Sequence, residues 1–389
     1  MTAVLIISLL LFLAYAVLII YYRQGWADTP EFTPQPTVKN LATKISVIIP
    51  ARNEEQNISA CLDSVCSQTY PKELFEVIVV DDHSTDKTAE LVASHAIKNI
   101  KCITLKDHLS EALNSYKKKA IEVAIQASSG DLIVTTDADC IVPKDWLHTI
   151  ASFYELHHPA FIAAPVSINC SNRFIEKFQA IDFMVLQGIT IAAVHRKVHS
   201  MCNGANLAYE RKAFEAAGGF KGIDDIASGD DMLLMHKIYK QQPERVMALL
   251  SKQAIVQTQP VKTISEFFDQ RIRWASKADS YDDRKIFFVL LLVYLFNLLM
   301  VTLPVVAIFK NTQYSMFNIQ CSMIAVWVSL LHLKILIELF FLFPLAKFFG
   351  KQKMLWLFPI MQPIHIVYTV IAGFLGKFGK YNWKGRRVH

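Results

Sequence analysis

The apolar positions along this chain fall into distinct regimes. Residues 3 to 22, AVLIISLLLFLAYAVLIIYY, carry no charge and are long enough to cross a hydrocarbon core of ~30 Å. No Lys or Arg precedes them, as a secretory leader would require, and Arg23 follows. Residues 1–24 therefore read as an uncleaved membrane anchor. Three further apolar tracts, 286–309, 321–345 and 355–376, lie toward the C-terminus. Between these ends the composition is mixed. Residues 25–44 contain several prolines and read as a linker.

The mixed region alternates between two periodicities. ISVIIP (45–50), EVIVVDD (76–82), KCITL (101–105) and DLIVTTD (131–137) are short, apolar and rich in β-branched residues, which predicts buried strands. Between them, Ile58, Cys61, Leu62 and Val65 recur at helical spacing, DKTAELVASHA reads as a second helix, and 112–127 as a third. This order predicts an α/β fold, a sheet with helices on both faces. Further on, Ile264, Phe267, Phe268, Ile272 and Ala275 fall on one face of a helix, so 263–285 reads as an amphipathic segment at a membrane surface.

In such sheets, ligands bind beyond the carboxyl ends of the strands. The first strand delivers Pro50, Arg52 and Glu54 there, the second Asp81 and Asp82, the fourth Asp137 and Asp139. The PARNEE turn has no glycine, which disfavours a dinucleotide-binding loop. Two carboxylates at i and i+2 of a strand share a side and repel. They mark either a solvated turn or a pair that holds a divalent cation, and through it a phosphate. Gly229-Asp230-Asp231 precedes a helical pattern and suits either a helix cap or a general base.

Composition adds bounds. The 389 residues are 53% hydrophobic with net charge +6, and much of the basic excess lies in AKFFGKQK and KFGKYNWKGRRVH near the end. In a chain with apolar tracts this implies positive-inside orientation and anionic lipid rather than nucleic acid. Seven cysteines without a C-x-x-C argue against a zinc site or disulfide framework. His157 and His158 read as surface, and Cys202 as packing. Lys334 and Glu338 fall at i, i+4 inside an apolar tract that also holds His332. Pro359 and Pro363 interrupt the last tract, so it is expected to break or re-enter, leaving the 377–389 tail cytosolic.

Six segments carry a family resemblance: VIIPARNEE, VIVVDDHSTDKT, TTDADC, GANLAYERKAFEAAGGF, SGDDMLLMHKI and QRIRW, in that order. Together they resemble the family 2 glycosyltransferases of the GT-A fold, and Q-x-x-R-W resembles the membrane-integrated members such as ceramide glucosyltransferases and bacterial glycolipid-forming relatives. The resemblance implies a catalytic domain over 45–262 with a Rossmann-like mixed sheet, bracketed by one N-terminal and about three C-terminal membrane segments. It implies that Asp82, with Asp81, binds the nucleotide base, that Pro50, Arg52 and Glu54 line the nucleoside pocket, and that Lys117, after Tyr116 where relatives carry glycine, belongs to the nucleotide-sugar site. Asp137 would bind ribose and, with Asp139, Mg²⁺ or Mn²⁺. Asp231 would be the general base, with Asp230 as runner-up. Gln270, Arg273 and Trp274 would meet the diphosphate and acceptor, over a floor of Gly204 and Asn206.

The implied activity is inverting, metal-dependent transfer from a UDP-sugar to a membrane-embedded acceptor, a lipid, by an integral membrane protein with a cytosolic catalytic domain and no obligate protein partner. The rivals are a processive polysaccharide synthase, a nucleotidyltransferase and a non-catalytic partner of a synthase complex.

Overall fold

The computed structural model describes residues 2–34, 41–95, 100–109, 114–198, 201–226, 228–276, 284–310, 313–316, 319–378, 381–383 and 386–388. The strands between residues 45 and 258 are β1 (Ile45–Ala51), β2 (Phe75–Asp81), β3 (Ile100–Thr104), β4 (Leu132–Thr135), β5 (Phe161–Ala163), β6 (Val166–Ile168), β7 (Leu207–Glu210), β8 (Val246–Ala248) and β9 (Val256–Thr258). The helices are α1 (Thr2–Asp28), α2 (Ile58–Cys66), α3 (Thr88–Ser94), α4 (Tyr116–Gln126), α5 (Trp146–His157), α6 (Phe174–His195), α7 (Arg211–Ala216), α8 (Met232–Gln241), α9 (Ile264–Ala275), α10 (Arg284–Lys310), α11 (Met323–Phe348) and α12 (Phe358–Phe378).

A seven-stranded sheet runs in the order β3-β2-β1-β4-β7-β5-β8. Its first four members are parallel, as their unbroken apolar runs predict, while β7 enters antiparallel to both β4 and β5. The period of two then sorts the strand residues. Val47, Ile49, Val77, Val79 and Val134 pack with Ile58, Leu62, Trp146 and Ile150 of α2 and α5. Ile48, Ile78, Val80 and Ile133 pack on the other face with Ala120, Ile121 and Ala124 of α4 and Leu234 and Ile238 of α8. Burial on both faces is why no polar alternation appears in these strands.

A third core lies among α1, α6, α10, α11 and α12. Among the described residues, five helices are long and apolar enough to cross a membrane, one more than the apolar tracts indicate. The additional one is α6, inside the region assigned to the catalytic domain. Its span is 78% buried, against 17–33% for the others. Ala180 and Phe183 face the sheet, while Phe178, Ile181, Met184 and Ile191 face the apolar bundle, so α6 belongs to both cores. Gly188 makes that contact possible. A Cβ there would lie 2.1 Å from Leu345 Cδ2 of α11.

The ends also differ from expectation. Helix α1 continues to Asp28, into the expected linker, and Phe32 N–H then bonds Leu250 O at 2.7 Å. The last tract is a 3-10 turn, Gln352–Leu357, followed by an unbroken α12. Pro359 occupies its first turn, where an N–H has no helical partner to lose, and Pro363 lies within the helix without ending it. The expected break is thus absent between Phe358 and Phe378. Beyond it, strand Tyr381–Trp383 pairs with Arg386–Val388, and the ribbon lies beside α9.

Candidate functional site

The carboxyl ends of β1, β2 and β4 meet at one cleft. At its β1–β2 side, Arg52 Nη1 donates to Asp82 O at 2.8 Å and to His83 O at 3.1 Å. Arg52 thus braces the loop that carries the acids. Glu54 Oε2 accepts from Asn57 Nδ2 at 2.7 Å, and its N–H donates to Thr88 Oγ1 at 2.7 Å. Asn53 takes the left-handed backbone (φ 51°), and its Oδ1 accepts from Thr85 N at 2.8 Å. Pro50 is half-buried at the end of β1.

The two acids after β2 are not equivalent. Asp82, 3% exposed, has Oδ1 2.9 Å from His83 Nδ1. Asp81, 6% exposed, accepts from Ser84 N at 3.4 Å through Oδ2, while its Oδ1 is buried with no hydrogen-bond partner. Buried carboxylate oxygens are rarely left so. Of the two acids, Asp81 has a buried oxygen left open.

Asp137 and Asp139 do not sit on a strand. Strand β4 ends at Thr135, and Cys140 N–H bonds Asp137 O at 3.1 Å, closing a turn. Buried Ala138 anchors the turn from beneath. Asp139 accepts from Thr258 Oγ1 at 3.4 Å and from the Cys140 thiol at 3.4 Å. Burial and the nearby carboxylates of Asp139 and Asp137 push the Cys140 and Cys61 thiols up, which leaves both protonated and inert.

Lys117 joins the two acidic motifs. Its Nζ lies 2.8 Å from Asp137 Oδ1 and 3.1 Å from Asp230 Oδ2. Burial alone would lower its pKa, but the Asp137 and Asp230 carboxylates outweigh burial and hold it well above the usual lysine range. Gly204 lies directly beneath. A Cβ there would be 3.1 Å from both Lys117 Nζ and Asp230 Oδ2, so a side chain would crowd the pair. Gly204 N–H donates to Asp231 Oδ2 at 3.3 Å, and Met232 N–H donates to Asp231 Oδ1 at 2.7 Å. Asp231 therefore does cap α8, with both oxygens turned toward neutral donors.

Two lysines adjacent in sequence divide the work. Lys118, 2% exposed, donates to the carbonyls of Ile223, Ile226 and Ser228 at 2.5, 2.6 and 2.9 Å. It fixes the loop that presents Asp230 and Asp231. Sequence reasoning missed Lys118. Its signal is the KKK run opening a helix whose other inward positions are apolar.

Asn206 is fully buried, accepts from Trp146 Nε1 at 2.9 Å and donates to Pro165 O and Ala254 O, both at 2.7 Å. Both its amide hydrogens are spent on packing. Asn206, expected in the sugar floor, instead ties three segments together.

The Q-x-x-R-W helix, α9, begins with a capping box between Thr263 and Glu266. Its internal Arg271, not singled out from the motif, is 5% exposed and grips Asp182 of α6 at 2.7 and 3.1 Å. The Tyr368 hydroxyl of α12 donates to the same carboxylate. The Arg271 guanidinium lies 4.3 Å over the Trp274 ring and donates to Gln270 Oε1 at 2.7 Å. Trp274 in turn packs on Phe183. Arg273 is half-buried on the same helix. The available signal for the Arg271–Asp182 pair was the lone acid within the apolar run of 178–195.

Among the described residues, no group of three His, Cys, Asp or Glu converges as a metal cage. Asp137 and Asp139 nonetheless offer hard, partly exposed oxygen donors. That chemistry suits Mg²⁺ or Mn²⁺ when further oxygens come from a ligand.

Residues 46–218 match the model for "Glycosyl transferase family 2". TarS of Staphylococcus aureus, a poly(ribitol-phosphate) β-N-acetylglucosaminyltransferase, is 36% identical over 115 residues, covering 30% of this chain and 19% of its own length. A β-monoglucosyldiacylglycerol synthase of Synechocystis is 25% identical over 260 residues, covering 64% of this chain and 51% of its own. The chain thus spans about half or less of the length of these curated relatives. Among solved structures, the Pyrobaculum calidifontis mannosyltransferase PcManGT, in complex with GDP-Man and Mn²⁺, superposes with TM-score 0.60 over 93% of this chain and 98% of its own at 19% identity. That likeness establishes the GT-A fold. The chain carries a family 2 glycosyltransferase domain.

Proposed function

We propose that the protein is an inverting glycosyltransferase that moves a sugar from a UDP-sugar to a membrane-embedded acceptor, a lipid. The observation that carries this reading is the Lys117 bridge, which holds the Asp137 turn and the Asp230–Asp231 cap within one ammonium's reach. A donor diphosphate at Asp137 and Asp139 then places its anomeric carbon toward the second acid pair.

The chain's own groups divide the chemistry as follows. Asp81 Oδ1 accepts the uracil imide N–H, meeting the need of an otherwise orphaned oxygen. Arg52 and Glu54 shape the loop around the base, with Asp82 braced beside it. Asp137 takes a ribose hydroxyl. Asp137 and Asp139 would hold Mg²⁺ or Mn²⁺, which when bound offsets the charge developing on the departing UDP. Arg273 adds a bidentate guanidinium on the diphosphate. Asp231 removes the acceptor hydroxyl proton as oxygen bonds the anomeric carbon and the C–O bond to UDP breaks on the opposite face. Asp230 is the runner-up, because its Oδ2 is already engaged by the Lys117 ammonium. Attack opposite the leaving group inverts the anomeric centre.

The lipid acceptor is supported by the membrane-length helices packed on the domain and by a relative named as a glucosyldiacylglycerol synthase. Nucleotide sugars are cytosolic, so the domain and the basic tail are placed on that side, in an inner or plasma membrane if the cell is bacterial. The test is incubation of purified protein with several UDP- and GDP-sugars and a total lipid extract, with mass spectrometry of new glycolipids. A UDP-sugar should yield one discrete lipid product of inverted configuration. EDTA or Asp139→Ala should reduce turnover on the order of hundredfold or more. A retained configuration, a lengthening polymer, or turnover that survives both treatments refutes the reading.

A further inference from the structure

Between α1, α6, α10, α11 and α12 lies a cavity of about 220 Å³. It is larger than the ~150 Å³ cavity that admits a benzene ring, and so has room for a length of hydrocarbon chain. Leu18, Ile181, Val185, Val293 and Phe341 make most of its wall apolar. One side is different. Asp182, Glu338, Gln362 and His365 all reach the lining there.

Nearly all of that polar side is internally matched. Asp182 is held by Arg271 and Tyr368. Glu338 is held by Lys334, by the Tyr15 hydroxyl and by Gln362 Nε2, while Gln362 Oε1 accepts from Lys334 at 3.0 Å. His365 Nδ1 is the exception. It is buried and has no hydrogen-bond partner, and its Nε2 stands 3.7 Å from Asp182 Oδ1. A buried nitrogen left open in an otherwise satisfied network marks a place where a ligand completes the bonding. The charges bound what that ligand is. Each lining carboxylate is matched by one engaged cation, Arg271 or Lys334, so among the described residues the wall offers no surplus positive charge to a phosphate. The position bounds its orientation. Arg271 belongs to α9 and stacks on Trp274, which packs against the catalytic core, so the polar side is the side nearer the cleft.

We propose that the cavity holds part of a hydrocarbon chain of a neutral acceptor lipid, whose hydroxyl, ester or amide group next to the chain bonds His365 Nδ1. This rests on the glycolipid-forming reading above and names its substrate class: an uncharged lipid such as a diacylglycerol or ceramide, not a polyprenyl phosphate.

The test uses the full-length protein in nanodiscs with two photoreactive probes, a diazirine-bearing diacylglycerol and a phosphatidic acid with the same chains. The labelled peptides are mapped by mass spectrometry, and donor breakdown, the hydrolysis of UDP-sugar to UDP and free sugar, is measured in parallel without acceptor. The diacylglycerol should label α6 and α12, and Val185→Trp should reduce that labelling at least fivefold. His365→Phe should raise the acceptor KM about fivefold or more while leaving donor breakdown unchanged. Labelling confined to other helices, equal labelling by the phosphatidic acid, or an acceptor KM unmoved by both variants overturns the proposal. Donor breakdown without cavity labelling overturns this inference alone. Cavity labelling without any donor breakdown leaves the lipid site standing and overturns the glycosyltransferase reading.

Discussion

Replacing Lys117 by Met keeps a chain of similar length and removes the ammonium that lies 2.8 Å from Asp137 and 3.1 Å from Asp230. Removing one partner of a fully buried pair costs about 3–5 kcal/mol. Here Asp137 is 36% exposed and the lysine side chain 24%, so water takes up part of the stranded charge. About 2 kcal/mol is the better figure. For a domain of this size that corresponds to an apparent Tm roughly 4–8 °C lower. The loss should shrink when Mn²⁺ and UDP are added, because a cation at Asp137 and Asp139 would restore positive charge to the same carboxylates. The sign with pH follows from the raised lysine pKa. The ammonium's contribution is complete below the ordinary lysine value, about 10.4, and is lost only above it. The deficit should therefore be level across neutral pH. The assay is thermal unfolding of detergent-solubilised wild type and Lys117→Met at one scan rate, with and without Mn²⁺ and UDP. An unchanged Tm, or a fall that is the same with and without the metal, refutes the bridging account.

Three further outcomes follow from other parts of the structure. Asp231→Asn should bind UDP normally but lose roughly 10²–10⁴-fold in kcat, read by UDP release and by calorimetry of UDP binding. Asn206→Leu should lower stability by about 2–3 kcal/mol, since it strands Pro165 O, Ala254 O and Trp146 Nε1 in the core; in the protein that folds, the donor KM should stay within about twofold, read by initial rates. Glu76 is partly buried, which alone would raise its pKa, but hydrogen bonds from Ser129, Ser46 and Gly130 outweigh burial and lower it. Its contribution is present above the ordinary carboxylate value and fades as pH falls through the lowered one. The stability gap between wild type and Glu76→Gln should therefore be open at pH 7 and close in acid, as followed by unfolding at a series of pH values.

Local pattern determined much of this protein. Unbroken apolar runs at 45–50 and 76–82 specify strands buried on both faces, because period-two alternation vanishes when neither face meets water. The clustering of Arg52, Asp81 and Asp137 beyond the carboxyl ends of neighbouring strands was legible, since it follows from parallel topology alone. The four most apolar tracts declared themselves by length and lack of charge. What one sequence could not carry was any relation between distant segments. Helix α6 is less apolar than the other membrane-length helices, and its double allegiance depends on Gly188 admitting Leu345 from 157 residues away. The difference between Asp81 and Asp82 is also tertiary: His83 stands against Asp82 Oδ1, while Asp81 Oδ1 is buried without a partner. Asn206 looked like a site residue because its motif adjoins the cleft, yet packing consumed its amide. Lys117 stood out in sequence only through the family resemblance, and Arg271 was an ordinary basic residue. Only folding brought Asp230 to one and Asp182 to the other, because charge pairing inside a protein is decided by which burial places leave a carboxylate without water.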